Sequence, residues 1–71
     1  MTLSDASQGS WRIERILGPV RFRSFLMSLG FTDGTDLTLI EKIFPGIIVR
    51  VRGSTVAFSP EAAALVEIRG A

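Results

Sequence analysis

Residues 35–58 read TDLTLIEKIFPGIIVRVRGSTVAF, and this stretch decides the fold class. Leu37 and Leu39 alternate with Thr38, Ile40 and Lys42, so Thr35 to Ile43 has the two-residue period of a strand. Pro45-Gly46 suits the central positions of a type II turn, because Pro fixes φ and Gly accepts a positive φ. From Ile47 to Arg52 the alternation resumes, with Val49 and Val51 on one face and Arg50 and Arg52 on the other. Gly53-Ser54 signals a tight hairpin. Thr55 to Phe58 then forms a third strand with Val56 and Phe58 on one face.

On the N-terminal side of this meander the period changes. Phe22, Phe25, Leu26 and Leu29 stand at i, i+3, i+4 and i+7, which predicts a helix with that stripe toward the core. Pro19 fits its first position and Gly30 the left-handed residue that ends it. Phe31 is then placed to fold back on Leu26. Asp33-Gly34 is a turn signal. Before the helix, Ser10 to Ile16 alternates as a strand, with Trp11 and Ile13 on one face. Ile16 breaks the alternation and predicts a bulge near Arg15. After the meander, Ser59-Pro60-Glu61 reads as an N-cap, a first-position Pro and an acid at the positive end of a single helical turn. Leu65 to Ile68 closes the chain as a short strand.

The expected order is strand, helix, three-stranded meander, helical turn, strand. It implies a mainly β domain with one to two short helices, closed as a small SH3-like β-barrel so that few strand edges stay open. The expected core is Ile13, Phe22, Leu26, Leu29, Leu37, Leu39, Val49, Val51, Val56, Phe58 and Ile68. At 71 residues the whole of 1–71 makes a single domain with a small core. The chain contains no Cys and no His. That excludes disulfides and thiolate metal sites, and it removes the usual general base, so the composition argues against an enzyme or a zinc finger. The net charge of +1 lacks the basic excess of a nucleic-acid module, and 46% hydrophobic residues exclude a disordered chain. No apolar run is long enough to cross a bilayer, and Met1-Thr2-Leu3-Ser4-Asp5 lacks the features of a secretion signal. A cytoplasmic location is expected.

Three stretches resemble a known family. Phe25-Leu26-Met27-Ser28-Leu29-Gly30-Phe31-Thr32-Asp33-Gly34-Thr35 resembles a segment of FeoA, the small ferrous iron transport protein A, that carries Leu-Gly followed by Gly-Thr. Val49 to Phe58 is similar to that family's hairpin, and Glu61-Ala62 with Val66-Glu67-Ile68 to its closing strand. Leu3-Ser4-Asp5, Gly9 and Ile13 fit its opening. The match spans nearly the whole chain. Asp33 stands where the family commonly has Pro, Phe25 where it has Arg, Ser59 where a basic residue often follows the hairpin, and Ala6 where a bulkier apolar group is usual. The resemblance implies an SH3-like domain that assists a ferrous iron uptake system. It would bind the cytoplasmic GTPase region of the FeoB-type membrane transporter and meet the membrane only through it. The same fold occurs at the C-terminus of some iron-dependent repressors, so this chain would be the free-standing form.

Candidate site residues follow from chemistry. Arg is favoured at interfaces and exposed apolar groups often mark one. Two surfaces qualify: the helix with Arg21, Arg23 and Met27, and the loop region with Phe44 and Ile48, since Ile47 and Ile48 cannot both face inward on one strand. These five residues are the expected partner contacts. Self-association through the loop region is the competing use of that surface. An alternative from another class is an SH3-like module that binds a peptide, a nucleic acid or a transcriptional regulator. No catalytic group, cofactor or metal site is expected, because Asp5, Glu14, Asp33, Asp36, Glu41, Glu61 and Glu67 have no ligand-like spacing, and Asp33 and Asp36 flank a turn.

Overall fold

The computed structural model describes residues 1–43 and 45–71. A 3₁₀ turn at Leu3–Asp5 is followed by β1 (Gly9–Ile16), α1 (Val20–Ser28), β2 (Asp36–Ile43), β3 (Gly46–Val51), β4 (Ser54–Phe58), α2 (Pro60–Ala63) and β5 (Val66–Gly70). The five strands form one antiparallel sheet in the order β4-β3-β2-β1-β5. Each neighbour in the meander is next in sequence, and β5 returns to the free side of β1. The result is an SH3-like domain whose ladder stays open between β4 and β5. The principal extents are 26 × 23 × 23 Å, so the sheet is strongly curled.

Two bulges bend it. Glu14 is the extra residue where the β1–β5 register slips between Ile13 and Arg15, as the broken alternation predicts. Ile40 is the extra residue where β2–β3 slips between Leu39 and Glu41. A bulge adds local twist, and twist lets a short sheet wrap its own apolar face.

The enclosed face carries Ile13, Leu37, Leu39, Val49, Val51 and Ile68, each at most 1% exposed. Leu26 from α1 and Phe58 from β4 join them, whereas Phe22, Leu29 and Val56 are only partly buried against the cluster. Phe31 meets Phe58 edge to ring, with centroids 5.7 Å apart. Leu3, Ala6, Ala63, Val66 and Ile47 complete the core. The N-terminal segment seals it as a strap: the Met1 carbonyl accepts a hydrogen bond from the Ile68 amide, and Thr2 bridges to Glu67.

The structure corrects four local expectations. Pro19 is the extended N-cap of α1, not its first helical residue. Gly46 is the first residue of β3, paired with Ile43, and it lacks the positive φ that a type II turn demands. The tight hairpin pairs Val51 with Ser54, so Arg52 and Gly53 are its two loop residues, and Arg52 takes a φ of 56°. Phe25 is 58% exposed rather than part of the core stripe. At α2 the expectation holds: Pro60 begins the turn and the Ala62 amide donates to Ser59 Oγ at 3.1 Å.

Candidate functional site

The C-terminal cap fixes α1. The Phe31 amide donates to the Leu26 carbonyl and the Gly30 amide to the Met27 carbonyl, both at 3.0 Å. With Gly30 at a φ of 100°, this is a Schellman cap, and it holds Phe31 beneath the helix beside Leu26. Leu65 and Phe22 both lie against Gly18, and Arg52 and Val51 lie against Gly30. The helix therefore spans one end of the barrel, from the start of β5 to the β3–β4 turn.

Only a narrow side of α1 is covered. Successive residues are rotated by about 100°, so Phe22, Leu26 and Leu29 share the inward face. Ser24 and Ser28 form the outward crest. The remaining residues divide between two flanks. Arg21 and Phe25 stand one turn apart on one flank, beside Pro19 and Phe22. Arg23 and Met27 stand one turn apart on the other, which faces Ile16, Phe31 and Asp33. Val20, Phe25 and Met27 are 66%, 58% and 57% exposed, and Leu17 just before the helix is 36% exposed. Four large apolar side chains are thus left in water within one short segment. Phe25 and Met27 stand on opposite flanks, so they are two separate candidate contacts rather than one patch.

Three arginines of the sheet are ion-paired. Arg12 pairs with Asp36 at 2.8 Å, Arg15 with Glu67 at 2.8 Å, and Arg69 lies 3.9 Å from Glu14 and 3.7 Å from Asp33. The hydrogen bond that Arg12 Nε donates to the Asp36 carboxylate, and then the carboxylate's negative charge, raise the Arg12 pKa. Arg21 and Arg23 make no ion pair with any described residue, as is also true of Lys42, Arg50 and Arg52. Arg21 and Arg23 lie in the first turn of α1, where the helix dipole disfavours cations.

The expected site residues do not form one patch. Arg23 and Met27 come together on one flank, while Arg21 faces the other with Phe25. Ile48 is half-buried on β3, paired with Glu41 and Ala57, on the opposite side of the strand from Ile47 and Val49. Phe44 lies outside the described residues. The Pro45-Gly46 end of β3 is the end remote from α1, where Lys42, Ile47 and Pro60 border a shallow apolar groove. Phe25 is the surface residue that the helical stripe placed inward, though it is absent from the expected core. Its signal was the rotation of about 100° that separates it from its inward neighbour Leu26, at the edge of the stripe on a short helix. Among the described residues, no three His, Cys, Asp or Glu side chains cluster as a metal site would require.

These features define a class: an SH3-like domain that presents a cationic helix with uncovered apolar side chains. A sequence model of the FeoA domain family matches residues 1–70, and the chain belongs to that family. Membership implies a role in ferrous iron transport systems. The crystal structure of an iron uptake regulatory protein (FeoA) is 31% identical, covers 97% of this chain and 95% of its own, and superposes with a TM-score of 0.84. The solution structure of the FeoA protein from Chlorobium tepidum is 20% identical with a TM-score of 0.86, covering 97% of this chain and 69% of its own. A manganese-dependent transcriptional repressor shares the fold at 17% identity and a TM-score of 0.87 over 100% of this chain, which corresponds to 41% of the repressor. Among curated protein sequences none matches the chain.

Proposed function

We propose that the protein is a non-catalytic, cytoplasmic accessory component of a ferrous iron uptake system. It docks on the cytoplasmic GTPase region of an FeoB-type transporter and tunes transport. The observation that carries this reading is α1, where Arg21 and Arg23, without an ion-pair partner among the described residues, accompany exposed Phe25, Val20 and Met27. Interfaces favour arginine and apolar anchors of this kind. Phe44 and Ile48 belong to a second contact at the β2–β3 side of the domain. The available hydroxyl groups have no His or Cys beside them to act as base or nucleophile, so any effect on GTP hydrolysis acts through the partner.

Calorimetric titration of the protein into the transporter's soluble GTPase region tests this reading. Saturable binding is expected, and no heat at high micromolar concentration overturns it. A parallel titration with ferrous iron is expected to show no stoichiometric site. Saturable uptake of one iron per chain would show that iron binding is part of the role.

A further inference from the structure

We infer that the Arg21–Phe25 flank of α1 is an anchor site for an acidic, apolar peptide segment of a protein partner. The inference rests on the proposed function for the source of that segment, and on the geometry of α1 for its chemistry. Pro19, Phe22 and Phe25 wall an open apolar groove, and Arg21 stands at its edge, one helical turn before Phe25. A leucine or aromatic side chain entering the groove covers Phe25. A carboxylate one turn away on the same segment meets the Arg21 guanidinium, which pairs with carboxylates through two parallel hydrogen bonds.

Charge selects this occupant. From Leu17 to Thr32 the chain contains no acidic residue, and Arg21 has no ion-pair partner among the described residues. The opposite flank differs, because Glu14 and Asp33 border it and share Arg69 between them. A second copy of this chain is disfavoured: a two-fold contact through the flank would set Arg21 near its own counterpart with no carboxylate between. A lipid surface is also disfavoured, because Ser24 and Ser28 occupy the crest of α1 while Phe25 and Met27 diverge to opposite flanks. A helix lying in a membrane interface needs one continuous apolar face.

The test uses the full chain and a fluorescein-labelled helical peptide of Leu and Glu, with Leu at i and i+4, beside the same peptide carrying Lys for Glu. Fluorescence anisotropy should show binding of the acidic peptide that weakens several-fold as salt rises and at least tenfold when Glu becomes Lys. Phe25→Ala and Arg21→Glu should each weaken the acidic peptide about tenfold. Arg21→Glu should also strengthen the Lys peptide, a gain that no unfolding could produce. Equal binding of both peptides, or no response to either substitution, overturns the inference. So does capture by phosphatidylserine vesicles with the same sensitivity to both variants, or a concentration-dependent dimer abolished by Phe25→Ala. The two readings fail separately. If the transporter's GTPase region binds both variants as tightly as the unmodified chain, the anchor site is wrong and the proposed function stands. If the acidic peptide binds and the GTPase region does not, the anchor site stands and the proposed partner is wrong.

Discussion

Arg52 has a left-handed backbone, with φ at 56°, and it sits at the first loop position of the β3–β4 hairpin. Two-residue hairpins match the sheet twist when their loop takes positive φ, and Gly or Asn usually supplies it. Here Gly53 is one position too late to help. The strain of an L-residue in this region is about 1–2 kcal/mol, partly offset by the extra freedom Gly has in the unfolded chain. Arg52→Gly is therefore expected to raise stability by roughly 0.5 kcal/mol, read as a higher urea midpoint with unchanged slope. Gly30 has the opposite sensitivity. Its φ is 100°, and an added Cβ would meet Arg52 Cδ at 3.2 Å. The arginine side chain can move aside, but the backbone cannot, so Gly30→Ala should cost about 1–2 kcal/mol. The presence of Gly53 in the hairpin signal was legible from sequence. The one-residue shift of the loop was not, because strand pairing, not the local dipeptide, sets which residues turn.

At the scale of the element, α1 shows how far a periodic pattern carries. The spacing of Phe22, Phe25, Leu26 and Leu29 and the stop at Gly30 predict the helix and its end. They do not settle which member of the stripe is covered. A nine-residue helix across the end of a small barrel makes a narrow contact. Leu26 points into it, Phe22 and Leu29 lie at its margins, and Phe25 is carried onto the flank. Adjacent substitutions should separate sharply. Leu26→Ala should lose about 2–5 kcal/mol through the cavity it leaves. Phe25→Ala should change stability by less than about 1 kcal/mol. Thermal unfolding of the two variants checks this, and a large loss at Phe25 would mean that its ring is part of the core. The Ile47-Ile48 pair was legible only as an alternative, since a strand admits one of them inward. Regular alternation along β3 settles it, since Ile47 shares the inward face with Val49 and Val51 and is the buried one.

For the whole molecule, the meander and the returning strand follow from alternation alone, whereas the sealing of the core does not. Leu3, Ala6 and Ala63 are fully buried, yet they sit in segments too short to show any period. Their burial follows from the strap that Met1 and Thr2 make along β5. A domain of this size holds roughly 4–10 kcal/mol of stability. Leu3→Ala should remove about 2–5 kcal/mol of it and leave a measurable unfolded population at 37 °C by circular dichroism. The candidate surface was legible in part for the same reason. Arg21, Arg23 and Met27 could be read as outward-facing from the helical period. Their separation onto two flanks depends on the direction in which α1 crosses the barrel end, and that is a property of the assembled fold.

The central claim is that a partner docks on α1. Amide NMR of the uniformly ¹⁵N-labelled protein, titrated with the soluble GTPase region of the transporter, tests it most directly. The account predicts progressive shifts at Val20, Arg21, Phe25 and their neighbours along α1. Shifts confined to the outer sheet face around Thr38 and Arg50, or none at high micromolar partner, would contradict it.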